Sequence, residues 1–164
     1  MNLICLDLEA SGLGPRSYPI EVAWKSTAGK SDNFLINPDS VSGWDFWDEY
    51  AEELHNLCRT EVCRKGVSAD AACTRLNEQL AGQDVLSDAW EFDDFWLTRL
   101  FEATGQTMAF RLIGLPALLN PEELLQFQLI CKGQWRQHRA MSDVDHIIEA
   151  ILKVRAGEGI ERSV

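Results

Sequence analysis

The sequence predicts a mixed α/β sandwich: one five-stranded sheet, its first three strands antiparallel, flanked by helices. Three observations carry this. Short apolar or alternating runs come first, at residues 3–6, 20–24 and 34–36, spaced closely enough for a meander. Helical spacing then takes over, broken by two further strand-like runs at 85–86 and 108–113. An order of strands first and alternating helices and strands afterwards belongs to a sheet with helical layers.

Leu3-Ile4-Cys5-Leu6 is nearly continuous in its apolar character, the pattern of a strand buried on both faces. It runs into Asp7-Leu8-Glu9 and then a Gly- and Pro-rich turn over 12–15. Ile20 to Trp24 alternates as a second strand, and Phe34-Leu35-Ile36 forms a third, stopped by Asn37-Pro38. Trp47, Ala51, Leu54 and Cys58 recur at helical spacing. Ser68 suits the N-cap of a helix that buries Ala69, Cys73, Leu76 and Leu80. After Val85-Leu86, helical spacing returns at Trp96, Leu100 and Ala103, with Gly105 as its stop. Asn120 and Pro121 read as N-cap and first residue of the next helix. Val144, Ile147, Ile148, Ile151 and Arg155 mark the last one, with Ser142 as its expected cap. The expected organisation is a single domain over 1–156 and a loose tail over 157–164.

Of 164 residues, 46% are hydrophobic and 25% charged, which allows one sizeable core. The net charge of −11 argues against a protein that grips long duplexes through a basic stripe. Any nucleic-acid binding must therefore be local. The five cysteines form no CxxC pair, so neither a zinc site nor a disulfide framework is expected. No window resembles a membrane span or a secretory leader, and the chain is expected to be cytoplasmic, with no membrane partner.

Three acidic groups carry chemistry. Asp7 and Glu9 end the first buried strand, and a spacing of two points both to one side of the sheet. Side by side, two carboxylates stay ionised only with a cation between them. Asp88, Asp93 and Asp94 follow the fourth strand, where helix capping alone would explain one of them. His138 and Asp143 stand at the entry to the last helix.

In that order, Cys5 to Leu13 (CLDLEASGL), Leu86 to Leu97 (LSDAWEFDDFWL) and His138 to Asp143 (HRAMSD) resemble the three motifs of the DEDDh 3′–5′ exonucleases. That family includes oligoribonuclease, ribonuclease T and polymerase proofreading subunits. The resemblance implies a ribonuclease H-like fold. It also implies that Asp7, Glu9, Asp93 and Asp143 hold two divalent cations, Mg²⁺ or Mn²⁺, while His138 acts as the general base. Ser11, Gly12 and Leu13 match the turn that meets the terminal nucleotide. The family often writes His-Asn where this chain has Asp88-Ala89, which leaves open whether Asp88 joins the site and whether Asp93 or Asp94 is the third acid.

The implied reaction is hydrolysis of terminal phosphodiesters of single-stranded or short nucleic acid, RNA or DNA, to nucleoside monophosphates. An imidazole, with an unperturbed pKa of about 6.5, suits proton removal from water near neutrality. Lys132, Trp135, Arg136 and Arg139 supply phosphate attraction and a stacking surface beside it, although an amphipathic helix end would look the same. Several relatives are dimers, so a homodimer is among the implied partners. A dehalogenase-type phosphatase would need a second Asp where Glu9 stands. The non-catalytic alternative is a degenerate nuclease fold that serves as a binding or regulatory module.

Overall fold

The computed structural model describes residues 2–134 and 137–157, so Trp135, Arg136 and all of the tail except Gly157 lie outside the described residues. β1 (Ile4–Ala10), β2 (Pro19–Ser26) and β3 (Ser31–Leu35) form the antiparallel meander. β4 (Asp84–Ser87) and β5 (Arg111–Gly114) add in parallel on the other side of β1, in the order β3-β2-β1-β4-β5. β1 is thus the central strand, which is why its sequence is apolar on both faces.

Its two faces feed two cores. Ile4, Leu6 and Leu8 join Ile20, Val22 and Trp24 in a cluster closed by α3 (Ala69–Leu80) and α4 (Trp90–Thr104). Leu3 and Cys5 join Ala23 and Leu86 beneath α5 (Pro121–Lys132) and α6 (Ala140–Arg155). Ala23, Ala140 and Ala150 are fully buried, and their small side chains let α6 lie close on the sheet. The strand period of two carries the Leu3–Cys5 row onward to Asp7 and Glu9, under the start of α6.

Several local signals act as read. Ser68 Oγ accepts the Ala71 N–H at 3.2 Å. Asn120 and Glu123 form a capping box around Pro121. Gly105 ends α4 with φ 70°.

Three boundaries differ. No single helix runs through Trp47, Leu54 and Cys58. Instead α1 (Glu49–His55) ends at Asn56, whose φ of 55° is left-handed, and α2 (Arg59–Lys65) follows. That turn directs Leu57 and Val62 into the core and leaves Leu54 exposed. The fifth strand starts at Arg111, not Met108, because the Ala109 amide donates to Asn77 Oδ1 and its carbonyl accepts from the Gly82 N–H. Ser142 does not cap α6, which starts at Ala140 with Arg139 at the cap position, three residues earlier than a Ser142 cap would set it. The Ala140 N–H donates to Glu21 Oε2 from β2 at 3.2 Å, so a tertiary partner replaces the local one.

The contrast along α6 is testable. Ile147 is fully buried and Leu152 is 52% exposed. Ile147→Ala should cost about 2–5 kcal/mol in denaturant unfolding, and Leu152→Ala no more than about 0.5 kcal/mol. Equal costs would contradict this placement of the helix face.

Candidate active site

The site forms where β1 and β4 end and two helices begin. Asp7 and Glu9 lie on the α6 side of β1, and Glu9 is the cross-strand partner of Glu21 on β2. Asp143, in the first turn of α6, is buried against this edge. His138 precedes the helix with φ 50°, a left-handed conformation that costs a non-glycine residue about 1–2 kcal/mol. The Glu9 carboxylate, a ring nitrogen of His138 and the Asp143 carboxylate lie within 4.8 Å of one another. One turn along α6, His146 Nδ1 stands 3.9 Å from Asp143 Oδ1.

Asp93 enters from the opposite layer. It sits in the first turn of α4, 1% exposed, and its Oδ2 accepts the Ser87 hydroxyl at 2.5 Å. Ser87 Oγ in turn accepts the Ala89 N–H at 3.1 Å, so one serine at the end of β4 sets both the turn and the acid. Asp88, half-buried beside it, acts electrostatically on Asp7, Asp93 and Cys5. Asp94, the next residue along α4, is also half-buried.

Burial and mutual repulsion dominate the electrostatics. Burial, then Asp93, Glu9, Asp143 and Asp88, holds the Asp7 carboxyl well above the usual carboxylate range. Glu9 is pushed up to about 9 by burial and then by Asp143, Glu21 and Asp93, with Arg139 opposing. Asp93 is pushed up to about 8 by burial, against the Ser87 hydrogen bond. Asp7 Oδ2 is buried and accepts no hydrogen bond among the described residues. Carboxylates gathered this way keep their charge only with cations among them, and all-oxygen donors suit Mg²⁺ or Mn²⁺. The residues present therefore fit such ions.

The turn after β1 leads directly out of the strand that carries Asp7 and Glu9. Ser11 is buried, its Oγ accepts the Tyr18 N–H at 3.3 Å, and its carbonyl accepts the Asp48 N–H at 2.8 Å. A Cβ on Gly12 would come within 2.7 Å of Asp48 Cβ and 2.8 Å of the Phe46 ring, so only glycine fits. Leu13 is 65% exposed. A groove of about 750 Å³ opens from Asp88 between Trp90, Phe92, Leu115, Pro116 and Leu124. A second, of about 390 Å³, runs between Gly14, Pro15, Phe92 and Phe95. Trp90, Phe92 and Phe95 are all exposed. Lys132, also exposed, lines a neighbouring hollow that shares Asp88.

Thus Asp7, Glu9, Asp93, Asp143 and His138 meet at one edge of the sheet, and Ser11, Gly12 and Leu13 follow the end of β1 directly in the chain. Arg139 is turned inward, with Nε and Nη2 on the buried Glu21 at 3.1 and 2.8 Å. Two contributors escape sequence reading. Ser87 had no signal. Glu21 had one: a charge between the apolar residues Ile20 and Val22 of a strand.

No protein-family model matches the chain, and no curated protein matches it by sequence. Solved structures do match it in shape. An exonuclease I structure that addresses processivity has a TM-score of 0.72 at 16% identity over 96% of this chain. Exonuclease I from Methylocaldum szegediense has 0.70 at 15% over 96%. The zinc-bound complex of E. coli exonuclease I with single-stranded DNA has 0.69 at 19% over 95%. The chain spans 41–42% of those chains. The ribonuclease H-like fold is therefore theirs.

The raised acids imply a pH-dependent stability. Asp93 and Glu9 hold protons in the folded chain up to about 8 and about 9, but lose them near 3.8 and 4.5 when unfolded. Between those values the folded state binds more protons, so this contribution to stability falls as pH rises. The metal-free protein should lose melting temperature from about pH 5.5 to about pH 8.5, and Mg²⁺ should restore more of it at the higher pH. A Mg²⁺ effect of the same size at both values would count against the acids sharing one site.

Proposed function

We propose that the chain is a 3′–5′ exonuclease that hydrolyses terminal phosphodiesters of single-stranded or short nucleic acid, releasing nucleoside monophosphates. The observation that carries this reading is the convergence of four carboxylates and one histidine, from three separate elements, at the open edge of a fold shared with exonuclease I.

Asp7, Glu9, Asp93 and Asp143 would together hold two divalent cations, which would balance their charge. Bound there, Mg²⁺ or Mn²⁺ would activate water and meet the charge that develops on the leaving oxygen. His138 takes the proton of the attacking water, with its ring nitrogen already beside Glu9 and Asp143. Ser87 holds Asp93 in place through the short hydroxyl contact. Asp88 stands near enough to add charge to the Asp93 side.

The exposed rings of Phe92, Phe95 and Trp90, with Leu13, offer apolar faces on which unpaired bases stack. Ser11 and Gly12 shape the turn against the terminal nucleotide. Arg139, whose side chain keeps 43% of its exposure, and Lys132 supply local positive charge to a chain that is otherwise strongly acidic. Few cations mean few phosphate contacts and a short footprint. The alternative reading, a degenerate nuclease fold that only binds, requires a site that takes up nucleic acid without turnover.

Incubation with 5′-labelled single-stranded DNA and RNA separates these readings and shows the sugar preference. A ladder shortening from the 3′ end with Mg²⁺ or Mn²⁺, and none with EDTA, is expected. His138→Ala should lower kcat by about 10²–10⁴-fold with little change in KM, and Asp7→Asn should be inactive. Binding without shortening in any metal would favour the degenerate module. The log–log salt dependence of binding should be shallow, with a slope magnitude of about 0.7 per phosphate contact for single strands.

A further inference from the structure

We propose that Glu21, outside the metal-binding set, is a positioning residue that sets His138 and Asp143 over Glu9; this rests on the exonuclease reading for its functional consequence. Glu21 is fully buried in β2, on the face that carries Glu9, and is its direct cross-strand partner. A carboxylate there adds repulsion to an already acidic site. What it gives in return is geometric.

That return is a clamp. Glu21 Oε1 accepts from Arg139 Nη2 at 2.8 Å and from Asn33 Nδ2 at 3.3 Å. Glu21 Oε2 accepts from Arg139 Nε at 3.1 Å and from the Ala140 N–H at 3.2 Å. A bidentate guanidinium pair fixes direction as well as distance. The two anchored residues lie between His138, in its left-handed conformation, and Asp143, in the first turn of α6. Arg139 gives α6 no side-chain cap, so the Glu21 carboxylate takes the capping role from another element, where a negative charge also suits the helix N-terminus. One side chain thereby ties the strand that pairs with Glu9 to the loop that carries the base and the helix that carries the acid.

Two variants separate positioning from simple electrostatics, because Glu21 and Arg139 carry opposite charges. If charge alone mattered, Glu21→Gln would weaken Mn²⁺ binding and Arg139→Met would strengthen it. If the clamp positions the site, both weaken Mn²⁺ binding, by about 10–100-fold, and the double variant is no worse than the weaker single one. Electron paramagnetic resonance of added Mn²⁺ reads the affinity. In parallel, hydrogen exchange of residues 138–144 in the metal-free protein should accelerate at least about tenfold in either variant, with α3 unchanged. Arg139→Met removes a partly exposed side chain and keeps the test available should Glu21→Gln fail to fold.

Tighter Mn²⁺ binding by Arg139→Met, or unchanged exchange over 138–144, overturns the inference. If the wild-type protein neither binds Mn²⁺ nor shortens single strands, the exonuclease reading fails, while the exchange measurement still decides whether Glu21 holds the loop.

Discussion

Like charges brought together at the end of a buried strand set the terms for the rest of this molecule. Asp7, Asp93 and Asp143 are all nearly excluded from water, and Glu9 is half-buried beside them. Burial and repulsion both favour protonation, so an isolated chain holds its acids partly neutral near physiological pH. Such an arrangement opposes folding in the charged state. It persists because hydrophobic packing on both faces of β1 holds the backbone in place, and because bound cations would relieve the repulsion.

The architecture shows how few elements this takes. β1 supplies two acids on alternate positions of one face, and each helix layer contributes one more from its first turn. α4 packs on one side of the sheet and α6 on the other, yet both start at the carboxyl edge. Helix N-termini tolerate negative charge, which lowers the cost of placing Asp93 and Asp143 there. The open edge beyond parallel strand ends is also where α/β sheets place ligands.

Around this centre the surface changes character. The exposed rings of Trp90, Phe92 and Phe95 frame two grooves. Two cations near the site have different duties: Lys132 faces solvent, and Arg139 turns to a buried partner. The basic segment seen in the sequence thus includes a cation with a structural role. Trp90 lines the larger groove, and its Nε1–H donates to the Leu112 carbonyl at 3.3 Å.

By itself the sequence determined the layered sheet, the burial of β1 on both faces and the common face of Asp7 and Glu9. Those follow from strand period and apolar content, which are local properties. The burial of Asp93, its Ser87 contact and the split into α1 and α2 were decided only in three dimensions. The same holds for the start of α6 at Ala140. Local rules favoured Ser142 as its cap, but Glu21 lies 119 residues from Ala140 along the chain and beside it in space. A hydrogen bond between distant segments leaves no periodic trace, and folding alone brings such partners together.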